Sequence, residues 1–207
     1  VADLTSRLPG ELSTRYPGLS WSFEGEQRDQ RDTFGQLGVG YMMAMLGIFA
    51  LLAIPFKSYS QPLVVMAAIP FGIIGAIIGH VLLGYGLSII SMFGIIALSG
   101  VVVNDSLVLV VTANMHRDKN PDKPVLDAVC NAGIRRFRPI LLTSVTTFFG
   151  LAPMIFETSM QARFLVPMAI SIGFGVLFAT FVILLLVPAL YLVVEDCRNG
   201  WKSISSD

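Results

Sequence analysis

Leu87–Ala113, LSIISMFGIIALSGVVVNDSLVLVVTA, is the stretch that decides the fold. It carries a single charged residue, Asp105. About 20 predominantly apolar residues suffice to cross a 30 Å hydrocarbon core as an α-helix, so this run reads as a transmembrane helix. Asp105 then lies roughly 12 Å from the end of the helix at Ala113, at 1.5 Å per residue. An unpaired carboxylate at that depth costs at least about 2.5–3.5 kcal/mol. The cost points to a partner, a water path or an exchangeable proton.

Four further apolar runs flank it. They cover Leu37–Phe56, Pro62–Leu83, Pro139–Phe156 and Phe164–Val194, and each is long enough to span. The last exceeds the requirement and is expected to tilt or to extend into the interface. Hydrophobic residues make up 54% of the 207-residue chain and charged ones 14%, against about 25% in a soluble domain. Mean hydropathy is +0.73. These values exclude a soluble enzyme and a disordered tail. Lys+Arg and Asp+Glu both number 14, which leaves no net basic charge to hold a nucleic acid. Cys130 and Cys197 form neither a disulfide framework nor a metal-ligand spacing. The chain begins at Val1 without a signal peptide, and the expectation is a piece of a longer polypeptide.

Residues 1–35 are polar. A short amphipathic helix, a turn at Pro17-Gly18 and a strand over Leu19–Glu24 are expected there, since Trp21 and Phe23 alternate with serines. So short a piece holds no core of its own, and it reads as the end of a larger soluble domain. Lys and Arg concentrate in the connection between the third and fourth runs: Arg117, Lys119, Lys123, Arg135, Arg136 and Arg138. By the positive-inside rule this connection, Lys57 and the tail with Arg198 and Lys202 belong in the cytoplasm. Gly84-Tyr85-Gly86 and the connection with Arg163 belong outside. The N-terminus is then external and residues 196–207 form a cytoplasmic tail. Within the cytoplasmic connection, Val125–Phe137 has the spacing of a short amphipathic helix along the inner surface. Gly72, Gly75, Gly79, Gly94 and Gly100 recur at spacings that let helices approach closely, which reads as bundle packing.

Asp105 is the first candidate for chemistry; the alternative is a structural latch between helices, which Asn104 and Ser106 could complete. Arg136 lies at the membrane surface, where arginine also anchors helices by snorkelling. Thr143 is seven residues further on, on the same helical face as Arg136. An Arg and a Thr facing an Asp would make a proton path, although Thr146 and Thr147 dilute the pattern. His80 reads as a hydrogen-bonded packing residue more readily than as a proton carrier. Met42, Met43 and Met45 could ligate a soft metal, but core filling explains them as well. Pro153, Pro167 and Pro188 mark helix ends or kinks. No nucleophile–base pair, HExxH motif, phosphate loop or other enzyme signature is present, and no cofactor is implied.

Ser99-Gly-Val-Val-Val-Asn-Asp-Ser-Leu-Val-Leu-Val-Val resembles a helix motif of the resistance–nodulation–division (RND) efflux pumps. Arg135-Arg-Phe-Arg-Pro-Ile-Leu-Leu-Thr-Ser, followed by Phe149-Gly-Leu-Ala-Pro-Met, resembles the next helix of these pumps. Phe23-Glu-Gly-Glu-Gln-Arg-Asp-Gln is similar to the stretch where the last porter subdomain re-enters the membrane. The three motifs occur in the family's order, and the likeness covers essentially the whole chain. It is strongest to the C-terminal part of acriflavine-resistance-type inner-membrane subunits. The fold it implies is an all-α membrane protein with the last five of twelve helices, preceded by the end of a periplasmic α/β porter subdomain.

The resemblance implies a proton-driven antiporter in the bacterial inner membrane that expels small amphiphilic compounds. Implied partners are the rest of the pump polypeptide, two further copies in a homotrimer, a periplasmic adaptor and an outer-membrane channel. The family's relay arginine maps to Arg136 and its relay threonine to Thr143. The position where the family commonly carries a lysine maps to Asn104, which holds no charge. Asp105, the next residue, is then either the titrating group itself or the partner of a changed first half. Alternatives are a relative such as a protein-export accessory or lipid exporter, and a non-transporting scaffold in which Asp105→Asn has no effect on transport.

Overall fold

The computed structural model describes residues 26–160 and 162–204, with side chains over residues 33–160 and 162–197. The strand expected at Leu19–Glu24 and the rest of the expected porter segment up to residue 25 lie outside the described residues. The chain divides into two compact units, Val1–Gly38 and Val39–Asp207. The described part of the first is the opening of helix α1, and the second is a helical bundle.

Among the described residues six α-helices follow one another: α1 (Glu26–Phe56), α2 (Ser60–Met66), α3 (Ile69–Leu83), α4 (Ile89–Lys119), α5 (Val125–Ile155) and α6 (Val166–Ile204). A 3₁₀ turn at Ala162–Phe164 precedes the last. No strand occurs among the described residues. Among the described residues five stretches are long and apolar enough to cross a membrane: Thr33–Phe56, Ser60–Leu83, Ile89–Lys119, Val125–Ile155 and Val166–Cys197. The all-α, five-span architecture expected from the apolar runs is therefore the observed one. The protein is a multi-pass membrane protein.

Two features depart from a simple reading of the runs. The second crossing is interrupted at Ala67 and Ala68, between α2 and α3. Pro70 opens α3 and has no N–H to give the carbonyl one turn back, so the helix breaks and restarts. The fourth crossing shows the opposite outcome. The sequence divides it into a surface helix over residues 125–137 and a span from Pro139, yet the structure runs both together as α5. Pro139 removes only one hydrogen bond, and Ala128, Val129, Ala132 and Ile140 are buried on either side of it. The loss of a single bond bends a helix without ending it.

The core lies where α6 meets α3, α4 and α5. Leu98, Val102, Leu109, Val110, Val176, Ile183 and Val187 are fully or almost fully buried there. Small residues set the α3–α6 distance. A Cβ on Gly75 would come within 2.5 Å of Phe178 Cβ, and one on Gly79 within 2.5 Å of Phe174 Cβ. The glycine spacing read from the sequence is thus a close-packing stripe. Gly100 does not belong to it, having no neighbour within 4 Å. α3 ends on Gly84, whose φ of +71° is the left-handed cap that glycine adopts without strain. Helix α1 stands apart: it contributes Leu52 to the core, with Met45, Ile48 and Phe56 packed partly against it. Its Tyr41 hydroxyl meets Ser99 Oγ at 3.2 Å.

Candidate functional site

Asp105 sits in the middle of α4 and is half-buried. Its carboxylate has no hydrogen-bond or ion-pair partner among the described residues. Asn104 beside it is exposed, one helical step around the axis. Ser106, on the other side, is fully buried, and its hydroxyl likewise has no partner among the described residues. Neither neighbour closes onto Asp105 as a latch.

Two turns along α4 from Asp105, on the same face, lies Thr112. Its Oγ1 donates to the carbonyl of Val108 at 2.7 Å and accepts from Arg136 Nε at 2.8 Å. The α4 backbone fixes the hydroxyl, and the hydroxyl fixes the guanidinium. Arg136 is thereby held across the α4–α5 contact toward the face of α4 that carries Asp105. Thr143 is on the same helix as Arg136, but it is exposed and donates to its own backbone at Ile140, 2.9 Å away. Arg136 and Thr143 make no direct bond. Of the four residues singled out in the sequence, the structure brings Arg136 to α4 and leaves Asn104 and Thr143 on open faces. Thr112 was missed because it lies inside an apolar run. Its signal was there: seven residues after Asp105, it repeats the same helical phase.

Several other polar groups on the bundle are already matched. His80 is buried; its Nδ1 donates to Ala76 O at 2.9 Å, and its Nε2 faces Ser91 Oγ at 2.9 Å. Ser91 and Ser88 form a reciprocal cap at the start of α4. Ser171 Oγ donates to the Ser91 carbonyl at 3.1 Å and ties in α6. His80 is thus the packing histidine of a three-helix knot. At the opposite end of α4, Asn114 Nδ2 donates to Gln61 Oε1 at 2.8 Å, and Asn114 Oδ1 accepts from the Tyr191 hydroxyl at 2.7 Å. Next to it Arg117 is paired with the buried Glu195 of α6. Met42 and Met43 are exposed on α1, while Met45 packs partly against the core. No group of three His, Cys, Asp or Glu side chains is placed to hold a metal ion among the described residues.

The described residues thus form a bundle of five spans, with the unpartnered Asp105 carboxylate in the third and an arginine reaching that helix from the fourth. The model of the AcrB/AcrD/AcrF family matches residues 11–195. The chain belongs to this family.

Similarity to individual members extends along nearly the full chain. Protein HelA of Legionella pneumophila is 32% identical over 207 residues, 99% of this chain and 19% of that protein. Multidrug resistance protein MdtC of Pantoea ananatis (strain AJ13355) is 26% identical over 192 residues, 93% of this chain and 18% of that protein. Crystal structures of a heavy metal efflux pump superpose with TM-scores of 0.75 and 0.72, at 25% and 26% identity. The superpositions cover 93% and 94% of this chain and 20% and 19% of those chains. The chain therefore spans about a fifth of the length of the relatives it matches. Family membership places its five helices in an RND-type bundle.

Proposed function

We propose that this chain is the C-terminal membrane portion of a proton-driven efflux transporter, and that Asp105 is the group that takes up and releases the proton. The observation that carries this reading is the carboxylate itself. It stands unpartnered in an apolar helix, on the face where Thr112 holds Arg136 two turns away. A carboxylate that is not locked into an ion pair or hydrogen bond is free to exchange a proton with a passing water. Asn104, in the place where the resemblance puts a lysine, contributes no competing positive charge. Thr143 belongs to the same path as a hydroxyl at the open face of α5.

The distribution of Lys and Arg supports an inner-membrane orientation with the N-terminus periplasmic and the C-terminus cytoplasmic. In this arrangement Arg136 lies toward the cytoplasmic side of Asp105. The full pump works as a trimer with a periplasmic adaptor and an outer-membrane channel, and exports small amphiphilic compounds. The motif around Phe23 and the Arg138-Pro-Ile-Leu-Leu-Thr-Ser run support the multidrug branch, as does the likeness to a protein called multidrug resistance protein MdtC.

The test is export by the full-length pump in proteoliposomes under an imposed pH gradient. Asp105→Asn is expected to assemble as the wild type does, and to lose both export and the coupled proton flux. Unchanged export and proton flux would refute the role of Asp105. A second substrate reading is heavy-metal export, favoured by the likeness to the heavy metal efflux pump structures. Loading the same vesicles with an amphiphilic dye or with a soft metal cation separates the two.

A further inference from the structure

We propose that the end of α4 and the first half of α5 form a binding site for a phosphate group, suited to the headgroup of an anionic phospholipid. A cavity of about 320 Å³ opens there. This is the small end of the range for ligand cavities, about 300–1,000 Å³. His116 and Lys119 enter it from α4, and Arg135 and Arg136 from α5, with Met115 as an apolar wall.

The charge is one-sided. Three permanent cations share the cavity, and none of the nearby carboxylates, Asp118, Asp122 and Asp127, lines it. Their mutual repulsion is relieved by an anion between them. The donors are also open. Arg136 engages Thr112 through Nε alone. The remaining guanidinium nitrogens of Arg136, all those of Arg135, and Lys119 Nζ have no partner among the described residues. His116 Nε2 is buried and unpartnered, in contrast to the fully engaged His80. A buried polar nitrogen without a partner is costly, and a turn of the imidazole toward the cavity would let a phosphate oxygen satisfy it. Four nitrogen-bearing side chains converging on one concave space match the several oxygens of a phosphate.

The surroundings favour a lipid as the source of that phosphate. Ile134 and Phe137 flank the two arginines along α5, and they are 76% and 49% exposed. Met115 is 52% exposed at the same place. A phosphate bound between the cations would leave its acyl chains along these apolar side chains. Basic pockets between membrane helices on the cytoplasmic side are suited to anionic headgroups. Nothing in this site requires Asp105 to titrate.

The experiment is lipid retention by the purified full-length pump, read by native mass spectrometry after exchange into equal amounts of phosphatidylglycerol and phosphatidylethanolamine. Arg135→Gln and Lys119→Gln are the variants, taken singly and together. Both side chains are exposed, so neither change disturbs packing. The wild type is expected to retain phosphatidylglycerol preferentially, with the preference falling about fivefold for each cation removed. Arg135→Lys is expected to restore most of it. A second arm adds inorganic phosphate to the wild type. No displacement of phosphatidylglycerol supports the lipid as occupant, whereas displacement at millimolar concentration supports the phosphate site but overturns the lipid source. Equal retention of the two lipids, or an unchanged preference in the double variant, overturns the site.

Discussion

Arg136 Nε donates to Thr112 Oγ1 across the α4–α5 contact, and the same hydroxyl donates to Val108 O within α4. Thr112 therefore couples the bearing of the arginine to the backbone of the helix that carries Asp105. Loss of a hydrogen bond to a charged group is worth about 1.5–3 kcal/mol, enough to free the guanidinium from one orientation.

Thr112→Val keeps the volume and removes the acceptor. Under the proposed mechanism, proton-coupled export falls about tenfold, the order set by one charge-assisted hydrogen bond. Thr112→Ser retains the hydroxyl and is expected to restore most of the activity. Equal activity of the valine and serine variants in proteoliposomes would show that Thr112 does not position Arg136.

The α3–α6 contact gives a packing prediction. Gly75 lies under Phe178, and a Cβ there would also come 3.0 Å from the Phe174 carbonyl oxygen. Because the obstacle includes backbone, a rotamer change cannot relieve it, and α3 must move away from α6. Gly75→Ala is expected to destabilise the bundle by about 1–3 kcal/mol, the usual cost of overpacking. A shift of the denaturation midpoint in detergent measures it. A wild-type midpoint would mean that the two helices separate freely.

The spans were legible because a run of twenty apolar residues has few other uses, and the glycine stripe because its spacing follows the helical period. The polar contacts were not. Gln61 and Asn114 are 53 positions apart, Asn114 and Tyr191 77, and Arg117 and Glu195 78. Periodicity within one helix carries no information on which residue of another helix it will meet. The same limit applied to the proposed row of Arg136, Thr143 and Asp105. The shared face of Arg136 and Thr143 was readable, but the hydroxyl that Arg136 reaches lies on α4. Pro70 and Pro139 illustrate a second limit. Both remove a backbone donor, yet only the break before α3 interrupts its helix. Val64, Val65, Ala68 and Ile69 around that break are as buried as the residues around Pro139, so burial does not separate the two cases, and no local feature of the sequence does either.

His80 is predicted to matter for stability and not for coupling. Its two nitrogens are committed, Nδ1 to Ala76 O and Nε2 to Ser91 Oγ, inside the knot that Ser171 closes. His80→Phe leaves the Ser91 hydroxyl without this partner in a buried site, at a cost of about 1–3 kcal/mol. Thermal unfolding of the detergent-solubilised pump measures it. The vesicle assay is expected to show an unchanged number of protons per substrate for whatever fraction of the variant assembles. A loss of proton coupling at wild-type stability would reverse the assignment and make His80 a proton carrier.

Glu157, in the connection after α5, gives a pH-dependent prediction. Its Oε1 accepts from the Ser159 backbone N–H at 3.0 Å and from the Thr158 N–H at 3.1 Å. The bond from Ser159 is the main cause that holds this carboxyl below the usual glutamate value of 4.5. A carboxyl with a depressed folded-state pKa contributes order that is fully present above its unfolded value and lost as pH falls through the lower, folded value. The turn at residues 157–159 is therefore expected to be intact at neutral pH and to loosen only as pH falls through the lowered, folded-state value. Because the carboxyl is exposed, the effect stays local and leaves the unfolding of the bundle unchanged. Hydrogen exchange at the Thr158 and Ser159 amides, corrected for the intrinsic pH dependence of exchange, reads it directly. Glu157→Gln is expected to give these amides the same weaker protection at every pH. Protection that does not change in the wild type across an acid titration, or one that titrates equally in the glutamine variant, would remove Glu157 as the cause.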